Sequence, residues 1–342
     1  MMVMTMQTTP RHDQILDCLL AGAMGDALGA DIEFANLAEI CARFPQGFAD
    51  LPIQQGIQGT FTDDTQMTLF TAEGLVRAAV RSTLKRICYP PGVIHHALLR
   101  WLVTQGETPR AKVDDIGLVT DRRLNARRAP GLTCLDALRQ ARNFGEPAVN
   151  SSKGCGSIMR VAPIAFVAED RVRDLAMECS ALTHGHPTGQ EAAGAWALIL
   201  RFLADGADLE QAAATHAHSF GAETRDAILR GLQTPADGRP ETTEQLGGGW
   251  IAEEALSIAI HACRCARDLE HGLAVAVTHS GDSDSTGAIA GNALGLMFPG
   301  QARVHRWAAQ LECRDLIERM AEDLSLAMSG QMDDLVTRYP GA

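Results

Sequence analysis

Between Ser285 and Ala302 lie eighteen residues without a charge, and within them glycines stand at 287, 291 and 295. A stretch of that length is close to what a membrane span needs. Asn292, Pro299 and Gln301 interrupt it, however, which makes a span a poor reading. Glycine at every fourth residue leaves one bare stripe along a helix. In lipid such a stripe would suggest dimerisation. In a water-soluble chain it predicts a buried helix packed very closely against its neighbours. The rest of the composition agrees: 46% of residues are apolar and 32 are glycine, but only 5% are aromatic. Small side chains suit close helix–helix contact, and this apolar fraction is enough for a sizeable core.

Helical spacing of apolar residues recurs along the chain. Ile15, Leu16, Leu19, Leu20, Ala23 and Ala27 form one stripe, and Met67, Phe70, Leu75 and Ala78 another. Similar patterns predict helices near 93–104, 133–143, 170–183, 188–204, 208–219, 223–232, 250–266, 268–279, 285–297 and 303–328. Thr133, Asp170, Thr188, Asp208 and Asp268 are read as N-caps. Alternating β-branched runs are nearly absent, so the expected class is all-α, with a dozen or so helices. No repeat period points to a solenoid. Two long loops, 105–132 and 233–249, separate helices of similar character and do not read as domain linkers. The organisation expected is an extension over 1–14, one domain over 15–330 and a tail over 331–342.

The formal charge is −12, which argues against a general nucleic-acid binder. Nine scattered cysteines without a CxxC pair argue against a disulfide framework or a thiolate zinc site, and fit a reducing cytoplasm. The first residues lack the basic and apolar regions of a signal peptide.

The carboxylates are unevenly placed. Gly59-Thr60-Phe61-Thr62-Asp63-Asp64-Thr65-Gln66 precedes one apolar helix, and Gly281-Asp282-Ser283-Asp284-Ser285-Thr286-Gly287 opens another. Asp63 with Gln66 looks like a capping box, but one cap explains one acid and not an adjacent pair. Four carboxylates gathered in a small volume repel unless a cation neutralises them. Hard oxygen ligands of this kind suit Mg²⁺ or Mn²⁺, or Ca²⁺. Asp26, in Gly25-Asp26-Ala27-Leu28-Gly29, reads as a buried, hydrogen-bonded acid, and Glu33 beyond the break at Gly29 is placed to reach a cleft. The stretch from Ser151 to Arg160 is rich in glycine and serine. Its backbone N–H groups suit phosphate oxygens, with Lys153 and Arg160 adding positive charge. His184 and His186 are separated by one residue, but no third ligand has matching spacing, and hydrogen-bonding roles are the expectation.

With these motifs in this order, the chain resembles the ADP-ribosylglycohydrolases from about Leu19 to Phe298. The stretches that carry the likeness are GAMGDALGADIEF, GTFTDDTQM, VDDIG, NSSKGCGSIMRVAPIA, LTHGHPTG, GGGWIAEEAL and SGDSDSTGAIAGNALG. The resemblance implies a compact, orthogonal all-α fold with two Mg²⁺ or Mn²⁺ ions in a cleft. It implies hydrolysis of the N-glycosidic bond between ADP-ribose and a protein side chain. Thr62, Asp63 and Asp64 would supply metal ligands from one side, and Asp282, Asp284 and Ser285 from the other. Glu33 and Asp115 would be the catalytic groups. The diphosphate and adjoining ribose would lie along Ser152, Gly154, Cys155, Gly156, Ser157, Met159 and Arg160, with His184 near the nucleotide. Cys155 stands where animal members have Asn, and Leu118 where the nitrogenase-regulating enzyme has a polar residue. THGHPTG looks closer to the arginine-directed members, so ADP-ribosylarginine on a protein is the expected substrate. The alternatives are another ADP-ribosyl linkage, or an immunity-type protein that neutralises an ADP-ribosyltransferase toxin by binding as well as by hydrolysis. The expected partners are thus a modified protein and such a toxin, with no nucleic acid or membrane, and the chain is expected to be a monomer.

Overall fold

A computed structural model describes residues 11–340. Sixteen α-helices occupy the described residues. The first four are α1 (His12–Gly29), α2 (Leu37–Arg43), α3 (Asp63–Lys85) and α4 (Pro90–Thr104). They are followed by α5 (Leu132–Gln140), α6 (Glu169–Ala181), α7 (Pro187–Ala204), α8 (Leu209–His216), α9 (Ala222–Gln233) and α10 (Pro240–Glu244). The last six are α11 (Ala252–Cys265), α12 (Leu269–Val277), α13 (Ser283–Met297), α14 (Gln301–Val304), α15 (Arg314–Met328) and α16 (Asp333–Arg338). Strand is confined to a small hairpin, β1 (Ile53–Gln54) with β2 (Ile57–Gln58), antiparallel with Ile53 opposite Gln58. The all-α class stands. None of the described helices is long and apolar enough to cross a membrane.

The centre of the fold is an antiparallel pair, α1 against α13. Every residue of α1 from Ile15 to Gly29 is buried, as is every residue of α13 from Ser283 to Leu296. Helices with no polar face must lie inside, covered on all sides. The pair meets backbone to backbone. A Cβ on Gly25 would overlap the carbonyl of Gly287, and a Cβ on Gly287 would overlap that of Gly25. Gly291 and Gly295 likewise lie on the carbonyls of Ala21 and Asp17, and Gly29 on that of Ser283. The glycine stripe predicted a close approach; its partner is a matching small-residue stripe on α1. Asn292 donates from Nδ2 to the carbonyl of Cys18 at 3.0 Å, which fixes the register. At the far end buried Asp17 accepts from the Gly300 amide at 2.8 Å and Arg303 Nε at 2.9 Å.

This seam lines up the end of α1 with the start of α13. The start of α3 is tied to the same place by buried Asp26. Its carboxylate accepts from the amides of Thr62 and Thr65, each at 2.9 Å, and from the Thr65 hydroxyl at 2.6 Å. Asp26 thus satisfies first-turn donors of a helix distant in sequence, as an N-cap residue does locally.

Several boundaries differ from expectation. Asp208 and Asp268 do cap their helices, accepting from the Gln211 and His271 amides. Thr133, Asp170 and Thr188 are instead second residues of helices that start earlier. Asp63 is not the cap of α3: Thr62 is, through its hydroxyl and the Asp64 amide. The run expected over 303–328 breaks into α14, a 3₁₀ turn over Arg306–Ala309, and α15. The His305 side chain caps the 3₁₀ turn, and Cys313 in left-handed backbone separates it from α15. The long loops hold short helical turns, including Gly117–Thr120 and α10. Residues 1–10 of the expected extension fall outside the described residues, but 12–14 belong to α1. The expected tail carries α16, and Tyr339 beyond it is buried, hydrogen-bonded to Asp323.

Gly291→Ala would force the two central backbones apart, and overpacking of this kind costs about 2–3 kcal/mol. Urea unfolding should show that loss; an unchanged midpoint would mean that the seam is not tight.

Candidate metal centre

Three helix ends deliver the carboxylates. Asp63 and Asp64 form the first turn of α3, and Asp282 and Asp284 flank the first residue of α13. Glu33 follows α1 in a turn. Helix N-termini favour anions, which explains how the first four are tolerated singly but not how they are tolerated together. Glu33, Asp282 and Asp284 each offer an oxygen within 4.8 Å of the others. Asp64 joins them through Ser285, whose hydroxyl donates to Asp64 Oδ2 at 3.4 Å while its amide donates to Asp282 Oδ1 at 3.4 Å. The Thr62 hydroxyl donates to the same Asp64 oxygen at 3.2 Å. Asp63 is turned to the loop before α5 and accepts from the Gly131 amide at 3.1 Å.

Asp63, Asp64, Asp282 and Asp284 are all buried. Burial first, and the surrounding carboxylates second, hold Asp284 well above the usual carboxylate range. Burial does the same to Asp64, with Asp26, Asp63 and Asp282 adding to it. Asp63 is raised too, mainly by burial and against the pull of the Gly131 amide. Glu33 is pushed up to about 7 by burial and then by Asp282 and Asp26. Two buried oxygens, Asp64 Oδ1 and Asp284 Oδ1, have no hydrogen-bond partner among the described residues. Buried carboxylate oxygens without donors are costly. A divalent cation among oxygen ligands is the group that would satisfy them. The donor set of carboxylates with the Thr62 and Ser285 hydroxyls fits Mg²⁺ or Mn²⁺.

The glycine-rich loop lies against this centre. Cys155 donates from Sγ to Asp282 Oδ2 at 2.8 Å, and its amide donates to the Trp250 carbonyl at 3.2 Å. Gly154 bridges Ile251, and the Ala252 amide donates to the Lys153 carbonyl, so the loop is clamped to the start of α11. Cys155–Arg160 then forms a 3₁₀ helix. His184 lies beneath: its ring would be met by a Cβ on Gly154 or Gly156. Its Nδ1 pairs with the Thr183 hydroxyl at 2.8 Å, and burial holds its pKa down to about 3, so the ring is neutral. His186 accepts the Thr188 amide as the cap of α7. Both histidines are hydrogen-bonding groups. Ser152 pairs with Thr133 across the loop mouth at 3.1 Å. A cavity of about 430 Å³ opens there, lined in part by Arg110, Thr133, Arg142, Asn150 and Ser152.

Four expectations change. The Arg160 guanidinium is buried and spends its donors on the Gly156 and Cys179 carbonyls and the Thr183 hydroxyl. It positions the loop and is not free to meet a ligand. Met159 is buried as well: its carbonyl accepts from Thr68, and its sulfur lies 4.0 Å from Ser285 Oγ. Lys153 pairs with Glu253 and Glu223, so its charge is already matched. Asp115 makes no hydrogen bond or ion pair with the carboxylates among the described residues. It is exposed, its neighbour Asp114 is held by Arg100, and Gly117 lies against Glu73 and Arg77. Glu73 is ten residues beyond Asp63 on α3, about 15 Å along the helix axis.

Other features of the site escaped the sequence reading. Phe34, directly after Glu33, stacks on Trp250 with ring centroids 5.5 Å apart and 23° between planes. Both rings are solvent-exposed, Phe34 by 80%, and form an aromatic rim beside the cluster. The signal was there in GlyGlyGlyTrp, an aromatic on a loop of glycines. The meeting with Phe34 was not, since it joins distant segments.

The family model for ADP-ribosylglycohydrolases matches residues 7–334. An uncharacterised protein of Archaeoglobus fulgidus is 27% identical over 326 residues, covering 92% of this chain and 96% of its own. The ADP-ribosyl-[dinitrogen reductase] glycohydrolase of Rhodospirillum rubrum is 24% identical over 333 residues, covering 93% and 97%. A solved structure described as an ADP-ribosylglycohydrolase-related protein complex superposes with a TM-score of 0.66 at 24% identity. It covers 93% of this chain and 99% of its own.

The raised carboxylates fix the sign of the pH dependence. Without divalent cations the folded chain holds protons that the unfolded chain has released, between the ordinary carboxylate range and about 7. Stability of the EDTA-treated protein should therefore fall as pH rises from 5 to 8. Added Mg²⁺ should remove most of that fall, and Asp284→Asn should reduce it in EDTA. A melting temperature in EDTA that is flat or rises over this range would contradict the arrangement.

Proposed function

The chain belongs to the ADP-ribosylglycohydrolase family, and on that premise we propose that it hydrolyses the N-glycosidic bond between ADP-ribose and arginine side chains of modified proteins. The observation that carries the reading is the meeting of Glu33, Asp282 and Asp284 beside the Gly154–Ser157 loop. Within the proposal, these acids with Asp64 and the Thr62 and Ser285 hydroxyls hold two divalent cations, Mg²⁺ or Mn²⁺. Such ions, when bound, neutralise the carboxylates and supply Lewis acidity toward water and sugar hydroxyls.

The chain's own groups have separable tasks. Gly154 and Gly156 keep the loop free of side chains, so that backbone N–H groups can approach a diphosphate closely. Neutral His184 fixes the loop from below. The adjoining cavity has room for the nucleotide end of the ligand, with Arg110 and Arg142 in its wall. Glycosidic cleavage passes through an oxocarbenium-like state, and the negative field of the buried aspartates stabilises such a cation. The departing guanidine needs a proton, and Glu33, half-buried at the edge, is the group placed to carry it. The Phe34–Trp250 rim suits a planar, cationic guanidinium lying over ring faces. That rim, and separately the exposed Val149 in the cavity wall, also suit contact with a protein. It favours, as a second reading, an immunity role in which binding to an ADP-ribosyltransferase toxin adds to hydrolysis.

The test is a release assay on arginine-, serine- and ester-linked ADP-ribose, with Mg²⁺ and with EDTA. Release from arginine alone, lost in EDTA and slowed about 10³-fold by Asp284→Ala, is the expected result. Parental rates in Asp284→Ala would refute the site, and faster release from serine would refute the substrate.

A further inference from the structure

Further along α3 from the acidic centre, a second cavity of about 540 Å³ opens between α3 and α4. Its character is the reverse of the first site. Arg77, Arg81 and Arg100 line it, and no carboxylate does. In a chain of formal charge −12, three guanidinium groups around one hollow call for a reason. Ion pairing explains only part of it. Arg77 is buried and bonded through Nε to Glu73 at 2.8 Å and through Nη1 to the Pro340 carbonyl at 3.3 Å. Arg100, 2% exposed, uses Nε and Nη2 on Asp114. Its Nη1 has no hydrogen-bond partner among the described residues. Arg81, half-buried, makes no salt bridge among them. Arg81 is therefore the unmatched charge on this wall, and an anion in the cavity would pair with it, with the charges of Arg77 and Arg100 behind.

The opposite wall is aromatic. His96 stacks on Phe144, with centroids 4.3 Å apart and 24° between planes, and Tyr89 stands half-exposed at the mouth. Burial, then the Arg100 charge, lowers the His96 pKa to about 4, so this ring is neutral and offers its face. The volume lies in the range of small-molecule sites, about 300–1,000 Å³. Guanidinium groups at one end and ring faces at the other match a ligand with a compact anion and a planar ring.

We propose that this cavity is a second binding site, for a small phosphate-bearing ligand with a planar base, of the mononucleotide class. Arg81 and Arg100 take the phosphate, and Phe144, His96 and Tyr89 take the base. The site is separate from the acidic centre and does not depend on the substrate assigned there.

Calorimetric titration of the full chain with AMP, ribose 5-phosphate and adenosine tests the pairing of anion with ring. AMP should bind most tightly. Arg81→Glu, on the surface of α3, should lose that binding component by about tenfold or more, as expected for reversing one charged partner. Its unfolding midpoint and its release of ADP-ribose should stay at parental values, because Arg81 touches neither the core nor the cleft. Phe144→Ala should weaken AMP but leave ribose 5-phosphate unchanged. Equal titrations for Arg81→Glu and parent would place all AMP in the cleft and overturn the proposal. Adenosine binding as tightly as AMP would overturn it too, by removing any role for the arginines.

Discussion

The site exists because two backbones touch. The contact of α1 with α13 leaves no room for a Cβ at several positions, and it sets the separation of everything attached to those helices. Glu33 follows one end of the pair, and Asp282 and Asp284 sit at the adjoining end of the other. Side chains can repack around a substitution, but a carbonyl pressed on a Cα cannot move without its helix. The spacing of the carboxylates is therefore a property of main-chain packing, and the side chains of the outer helices have little say in it.

The same region holds a deliberate electrostatic cost. Asp26 is satisfied by three donors and still stands at about 6, chiefly because of burial. It joins the start of α3 to the seam at the expense of one more acid near five others. Asp64 and Asp284 each keep a buried oxygen without a donor among the described residues. A protein interior selected for stability alone would remove such groups. Their presence together, with hydroxyls from Thr62 and Ser285 in reach, is what marks the cluster as a candidate metal centre.

Much of this could be read from residues in order. A charge-free segment with glycine at every fourth position announced a buried helix in close contact. Paired acids at two helix starts announced a buried carboxylate cluster. What the order of residues did not contain was which surfaces meet. Arg160 and Lys153 looked like ligands for phosphate because their charge is visible in sequence, but the Cys179 carbonyl, the Thr183 hydroxyl and Glu253 that absorb it come from elsewhere. Asp115 looked catalytic by its motif, but the order of residues did not show that its loop is held by Arg100 on α4 and lies against Glu73 on α3. Helix starts slipped by one or two residues where a neighbouring polar residue could also have served as cap, as at Thr133 and Thr188.

The seam also sets a timetable. Gly25 and the glycine it presses against are about 260 residues apart, and a ribosome adding 5–20 residues per second needs roughly 15–50 seconds to travel between them. Over that interval α1, which the fold buries on every side from Ile15 on, is outside the tunnel without the surface it was shaped for. α1 is docked only once α13 has followed it, and the acidic cleft is completed only when both ends of the seam have emerged. A nascent chain of this design needs shelter, from a chaperone or from provisional contacts with the helices that follow. A fragment ending before α13 would be left with an unmatched greasy rod and half a set of acids.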